Sequence, residues 1–195
     1  MPIGVIYALV AYSVYSCGDA IIKGFGQDLS VFEIGFFIAV FGLIPAAFAK
    51  PRGERWRDSF KLKHPLLVHG RAFSGLASST LVTVSFTTIP FAETYSLVFM
   101  MPLFITLMSV IILRERVNAM RWSMLALGFI GVMLVVRPGF RELELGHLTA
   151  LLCAVFGAAT TTILRVIAPS EKRVSLIVLP ALYLIVANAI LMAPT

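Results

Sequence analysis

The chain has 195 residues, of which 59% are hydrophobic and 13% are charged, and it carries a formal net charge of +6 at pH 7. This composition excludes an intrinsically disordered chain, which would be polar and rich in charge. It also argues against a soluble globular domain, which could not bury so much apolar surface at this size. The basic residues fall in short loops, as is typical of charges that set membrane orientation, so we expect a lipid bilayer and no nucleic acid as partner.

Seven near-continuous apolar runs predict an all-α, polytopic membrane protein with seven transmembrane helices. The alternating pattern of a membrane β-barrel is absent from the sequence. From the N-terminus, predicted helices 1 to 7 span Ile3–Ile22, Val31–Ala49, Leu66–Thr87, Glu93–Leu113, Met120–Val136, Gly146–Ile167 and Val174–Met192.

The distribution of Lys and Arg predicts the orientation of these helices. Thirteen of these residues fall in or beside the loops after helices 2, 4 and 6, and the other three are Lys23, Arg137 and Arg141. Because basic loops stay in the cytoplasm, the N-terminus is predicted to be cytoplasmic. An odd number of spans then places the C-terminus of this chain in the periplasm.

A weak internal repeat is visible at an offset of 142 residues, which aligns Gly4 with Gly146 and Lys23 with Arg165. It makes helices 1 and 6 equivalent, although the charge pattern has them enter the membrane from opposite sides. Equivalent units of opposite orientation are typical of transporters with inverted repeats.

Helix 4 and the region after it carry a family resemblance. The runs Pro90–Phe104, Leu113–Val117, Arg121–Trp122, Gly128–Gly131 and Val136–Gly139 together resemble the drug/metabolite transporter superfamily, EamA type. The resemblance implies ten helices in two inverted five-helix halves around a central cavity. It also implies secondary transport of a small metabolite across the bacterial inner membrane.

The chain departs from that pattern because it ends after helix 7. We expect residues 1–139 to form the first repeat, with helices 1 to 5, and residues 140–195 to form part of the second, with helices 6 and 7. The leading hypothesis is a permease that moves a small polar metabolite by alternating access. The alternative is a truncated or non-transporting membrane subunit or scaffold that needs a partner, either a second copy or a completing chain.

Helix 1 carries ionisable residues where the bilayer makes them costly. Four polar residues share one face of it: Tyr12, Ser16, Asp19 and Lys23. Asp19 is a candidate coupling-ion site, and Tyr15 of the same helix is a candidate substrate contact. The alternative is an Asp19–Lys23 pair that neutralises itself near the outer interface.

Helix 3 carries Arg71, Ser74 and Ser78 close to one face. A guanidinium facing an inward-open cavity would bind a carboxylate or phosphate through two hydrogen bonds, so Arg71 is a candidate substrate contact. The alternative is that Arg71 is an anchor at the membrane interface. Ser74 and Ser78 are candidate substrate contacts, with close helix packing as the alternative.

Helices 4 and 6 add three candidates. Pro102 lies mid-span and cannot donate to the Val98 carbonyl, which predicts either a break that exposes backbone to a cavity or a kink that only helps packing. Tyr95 is a candidate substrate contact, with plain packing or lipid contact as the alternative. Thr160 is a candidate substrate contact, with a hydrogen bond back to the preceding turn that bends the helix as the alternative. Glu93, in the first turn of helix 4, suits the helix dipole.

The sequence contains no GxSxG, HExxH or CxxC motif and no phosphate-binding glycine loop, so we expect neither an enzyme nor a cofactor. Its three histidines are widely spaced near predicted membrane edges and its two cysteines lie in apolar runs, which predicts no metal site. The segment from Arg71 to Trp122 is similar to family members that take up vitamin- or nucleoside-like metabolites such as riboflavin or S-adenosylmethionine. Amino-acid export is also common in the family, so the sequence predicts neither the substrate nor the direction of transport.

Overall fold

The computed structural model describes residues 3–25, 30–49, 57, 60–136 and 143–192. These residues form helices joined by turns and short connections, and none of them lies in a β-strand. The all-α prediction is therefore confirmed. The helices are α1 (Ile3–Phe25), α2 (Val31–Gly42), α3 (Ile44–Ala49), α4 (Pro65–Thr88), α5 (Phe91–Val98), α6 (Met101–Ile111), α7 (Ala119–Val136), α8 (Leu145–Ile167) and α9 (Arg173–Met192).

Two of the seven predicted helices are interrupted. The second divides at Leu43 into α2 and α3, and the fourth divides at Phe99 and Met100 into α5 and α6. Predicted helices 1, 3, 5, 6 and 7 correspond to α1, α4, α7, α8 and α9. The start of α2 is fixed by Ser30, whose hydroxyl accepts from the Glu33 N–H at 3.2 Å while its own N–H donates to the Glu33 carboxylate at 2.7 Å.

Four helical stretches in the described residues are long and apolar enough to cross a membrane: Phe91–Ile111, which joins α5 and α6, and then α7, α8 and α9. Shorter apolar stretches cover Ile3–Gly18 and Phe32–Ala46. These features support a multi-pass membrane protein. α4 is also long, with 24 residues, but more polar; it packs against α2, α5, α8 and α9, which cover much of its surface with protein.

The most extensive helix packing in the described structure joins α4 to α8. A side-chain carbon added to Gly157 of α8 would lie 2.5 Å from Met101 Cε and 3.2 Å from Ser78 Oγ. The two helices therefore approach closely because small residues line their contact, as is common between helices in membranes. The small side chains that have no exposed surface there are Ala72, Ala150, Ala154 and Ala158.

Two polar contacts tie the C-terminal end of α8 and the connection after it to neighbouring segments. The buried carboxylate of Glu171 accepts hydrogen bonds from the backbone N–H groups of Lys63 and His64, at 2.8 and 2.6 Å, just before α4. The exposed Arg165 forms an ion pair with Glu115, which follows α6, at 2.9 Å. All these residues lie at the predicted cytoplasmic end of the bundle.

Candidate functional site

The contact between α4 and α8 brings together two of the candidate substrate contacts. Ser78 Oγ donates to the Cys153 carbonyl oxygen at 3.0 Å and lies 3.3 Å from Cys153 Sγ. Thr160 Oγ1 lies 3.8 Å from the position that a side-chain carbon would take on Gly75. The Thr160 hydroxyl is buried and has no hydrogen-bond partner among the described residues. Ser78 thus joins the two helices, whereas Thr160 leaves a hydroxyl unused between them.

Arg71 lies nearer the N-terminal end of α4 and bridges to α9. Its Nη1 donates to the Leu176 carbonyl oxygen at 2.7 Å. Its Nε is buried and lacks a hydrogen-bond partner in the described part of the chain. Ser74, one turn further along α4, is buried as well. The guanidinium is therefore held by backbone on one side, and its buried Nε–H has no acceptor among the described residues.

Tyr95 belongs to a continuous row of aromatic rings that runs from the end of α4 along α5. Phe86 stacks on Phe91 with ring centroids 4.4 Å apart, and Tyr95 lies 5.5 Å from both. Phe99, at the break before α6, continues the row at 5.8 Å and is 71% exposed. This aromatic row (Phe86, Phe91, Tyr95 and Phe99) offers ring faces suited to a planar group.

The aromatic row and Arg71 lie at different depths. Fifteen residues of one helix separate Arg71 from Phe86, which is about 22 Å at a rise of 1.5 Å per residue. The structure therefore does not bring Arg71 and Tyr95 into one small pocket.

No extensive helix contact among the described residues brings the candidates on α1 to these residues. Tyr15 is 71% exposed, and the other described side chains of α1 are also largely exposed. The side chain of Asp19 lies outside the described residues, so its proposed coupling role stays a prediction. α8, which the repeat makes equivalent to α1, is covered on one side by α4, α5 and α6.

Pro102 lies in the first turn of α6, directly after the interruption at Phe99 and Met100. A proline is tolerated at this position because the N–H that it lacks would have no partner inside the helix. A small cavity of about 170 Å³ lies between this break and α7, lined by residues that include Phe99, Leu103, Met124 and Val132. The break between α5 and α6 thus borders a cavity.

A buried carboxylate and a buried imidazole meet where α5 and α8 begin. Glu93 and His147 are 5% and 8% exposed, and Glu93 Oε2 lies 2.9 Å from His147 Nε2. On the other side of the ring, Nδ1 accepts a hydrogen bond from the Glu144 N–H at 3.0 Å and lies 3.3 Å from the Glu144 carbonyl oxygen. This arrangement links the two predicted repeats at the end opposite Glu171.

An apolar cavity of about 500 Å³ borders the Glu93–His147 pair. Its wall includes Leu97 of α5, Met133 of α7, and His147 and Leu151 of α8. The remaining space around the first turn of α8 is tightly filled, since a side-chain carbon added to Gly146 would overlap Thr88 and lie 2.7 Å from Ile89 Cγ2. The pair is thus packed on one side and borders a cavity on the other.

Sequence reasoning missed the Glu93–His147 pair. It assigned Glu93 to the helix dipole and placed His147 at a membrane edge. The available signal was that both residues fall in first turns of helices predicted to start on the same side of the membrane. Among the described residues, no group of three or more His, Cys, Asp or Glu side chains is arranged to hold a metal ion.

Comparison with known proteins assigns the chain to a family. The model of the EamA-like transporter family matches residues 2–137, which is well over half of the chain. The chain belongs to the EamA-like transporter family. The resemblance read from the motifs around helix 4 is thereby confirmed, and transport by a membrane protein, rather than enzyme chemistry, is the expectation at the level of the family.

Several curated relatives are transporters. An S-adenosylmethionine uptake transporter of Rickettsia prowazekii (strain Madrid E) is 25% identical over 175 residues, which cover 89% of this chain and 58% of that protein. Solute carrier family 35 member G1 of Homo sapiens is 27% identical over 187 residues, covering 84% of this chain and 48% of that protein. The chain thus spans about half the length of the curated relatives it matches. No solved structure matches it.

Proposed function

We propose that this chain works as a secondary carrier that moves a small polar metabolite across the bacterial inner membrane by alternating access. The observation that carries this proposal is the family match over residues 2–137. The arrangement of α8 supports it, because the first helix of the proposed second repeat packs on α4, the third helix of the first repeat. Sliding or rocking at such a contact between repeats is how inverted-repeat carriers change access.

The proposed units are residues 1–139 for the first repeat and residues 140–195 for part of the second. The proposed orientation has the N-terminus in the cytoplasm and Met192 near the periplasm, from the distribution of Lys and Arg. Alkaline phosphatase fused after Thr195 tests the orientation, because this reporter is active only in the periplasm. An inactive phosphatase fusion together with an active cytoplasmic reporter at the same position would refute it.

For the substrate we propose a metabolite with a planar ring and an anionic group, and S-adenosylmethionine is the first compound to test. Two relatives named as S-adenosylmethionine uptake transporters support this choice. The aromatic row supplies faces for the ring, and the unused Nε–H of Arg71 supplies a donor for a carboxylate. Because these groups lie at different depths, one molecule would meet them in succession along α4. Ser74, Ser78 and Thr160 would lie between them, and α1 would contribute Tyr15 to the substrate and Asp19 as a coupling-ion site.

Uptake into membrane vesicles that contain the full chain tests the proposal, with a panel of S-adenosylmethionine, riboflavin and amino acids. We expect Arg71→Ala to weaken the apparent affinity for the transported compound about 10- to 100-fold, since a lost charge-assisted hydrogen bond costs about 1.5–3 kcal/mol. Arg165→Ala is the matched control, because Arg165 is an exposed arginine at the predicted cytoplasmic end. Unchanged transport in both Arg71→Ala and Asp19→Asn would remove both proposed roles.

A second candidate is a membrane subunit that transports only together with another chain. The exposed side chains along α1, Tyr12 and Tyr15 among them, favour it because they leave a helix surface available to a neighbour. Transport that depends on a second copy or a co-expressed chain, with none by the monomer, would select this candidate. Transport by the isolated monomer in vesicles would exclude it.

A further inference from the structure

The Glu93–His147 pair joins the two proposed repeats near the predicted periplasmic end of the bundle. Glu93 lies in the first turn of α5 and His147 in the first turn of α8, and both side chains are more than nine-tenths buried. Ionisable groups buried at membrane depth are costly and usually mark an ion or proton pathway. The apolar residues around the pair already provide the packing at this contact. The pair is therefore expected to have a role other than packing.

The ring of His147 is placed so that it can hold either one or two protons. When Nδ1 accepts from the Glu144 N–H, the ring hydrogen lies on Nε2 and donates to the Glu93 carboxylate. When Nδ1 also carries a proton, the Glu144 carbonyl oxygen at 3.3 Å lies within reach as its acceptor. Both protonation states thus have a hydrogen-bond partner at each ring nitrogen.

One added proton changes the charge of the pair. With Glu93 ionised and His147 neutral, the pair carries one negative charge, and one added proton makes it neutral overall. α4 presents Thr88 and Ile89 to the first turn of α8, and α7 presents Val132 and Val136 near α5, so these neighbours are uncharged. The other ionisable groups close in the chain are Glu144, at the start of α8, and Arg137, Arg141 and Glu142, which lie outside the described residues.

We propose that Glu93 and His147 form a proton-binding site that couples transport to the proton gradient. The inference rests on the proposed carrier function and adds its coupling ion. A proton that binds the pair, which borders the cavity beside His147, adds one positive charge to the contact between α5 and α8. One residue of the pair belongs to each proposed repeat. The charge of the pair therefore affects the stability of a contact that has to change when the carrier alternates between its two conformations.

Proteoliposomes that contain the full chain test this proposal, with radiolabelled S-adenosylmethionine as the probe and the membrane potential clamped. Exchange at equal pH on both sides requires the carrier alone, whereas accumulation driven by an acidic exterior also requires proton coupling. A gradient of about one pH unit is expected to drive about tenfold accumulation per coupled proton. We expect Glu93→Gln and His147→Gln to keep exchange and to lose this accumulation.

Glu115→Gln is the matched control, because it removes an exposed carboxylate at the other end of the bundle; it should accumulate the probe as the wild type does. Accumulation at the wild-type level in both Glu93→Gln and His147→Gln would overturn the proposal while leaving the carrier function intact. Absence of exchange by the wild-type chain would instead refute transport of the probe.

A second measurement does not depend on transport. The ring nitrogen signals of ¹⁵N-labelled histidine in the full chain report protonation directly, and His147→Gln assigns them. We expect the His147 signals to change with pH and this change to be altered in Glu93→Gln. Signals of His147 that do not respond to pH would overturn the proton-binding site, whatever the transport assay shows.

Discussion

Gly146, in the first turn of α8, is the position where the contact between the repeats is most sensitive to one added carbon. A side-chain carbon there would overlap Thr88 and approach Ile89 Cγ2 to 2.7 Å, and ordinary contacts begin at about 3.4 Å. Both neighbours are β-branched and stiff at χ1, so they cannot simply rotate away. We therefore expect Gly146→Ala to destabilise the chain by about 1–3 kcal/mol, the usual cost of overpacking.

Thermal unfolding of the purified chain measures this effect. Cys153 is a suitable reporter because it is buried, so a thiol-reactive dye labels it only when the bundle opens; Cys17 is exposed and is replaced by Ser in all samples. The expected loss corresponds to a Tm lower by about 2 to 12 °C for a chain of this length. The matched control is Gly128→Ala, where nothing lies within 4 Å of the added carbon. Since Ala favours a helix by about 1 kcal/mol over Gly, this control should melt at or slightly above the wild-type temperature.

Equal or higher Tm for Gly146→Ala than for Gly128→Ala would refute the close packing of α8 on the connection between α4 and α5. It would also weaken the proton-site proposal, because Gly146 directly precedes His147, whose ring contacts Glu93.

Three further changes test the rest of the fold in the same unfolding assay. Glu171→Ala removes the acceptor for the Lys63 and His64 N–H groups, so we expect a loss of about 1–3 kcal/mol, and Glu171→Gln, which keeps an acceptor oxygen, should lose less. Ser78→Ala removes one hydrogen bond between α4 and α8 and should cost about 0.6 kcal/mol, the average measured for such contacts in membranes. A double-mutant cycle on Arg165 and Glu115, an exposed pair, should give a coupling below about 1 kcal/mol; a larger value would contradict the exposed placement.

The positions of the helices could be predicted from the sequence because long apolar runs leave few alternatives in a membrane. Their interruptions could be predicted only in part. Pro102 follows a break and Pro45 lies in the first turn of α3, whereas Pro180 lies inside the continuous helix α9. Each proline lacks the N–H that a continuous helix would use, and whether the helix breaks there depends on neighbours that the local sequence does not contain.

The residues of the candidate site could also be predicted only in part from the sequence. Arg71, Ser78 and Thr160 were predicted because polar residues in apolar runs are conspicuous. Glu93 and His147 are 54 residues apart and each has a sufficient local explanation, as an acid at a helix start or a histidine at a membrane edge. Only the packing of α5 on α8 brings them together, and that packing depends on side-chain volumes along several helices at once.

Trans-stimulation in proteoliposomes is the most direct test of the central claim that this member of the EamA-like transporter family is an alternating-access carrier. Vesicles containing the chain are loaded with unlabelled S-adenosylmethionine, and the initial entry of the labelled compound is compared with entry into unloaded vesicles. The carrier account predicts faster, saturable entry into the loaded vesicles, because a carrier returns more readily with substrate than without. Entry that is unaffected by loading, or equal to that of protein-free vesicles for every compound in the panel, would contradict it.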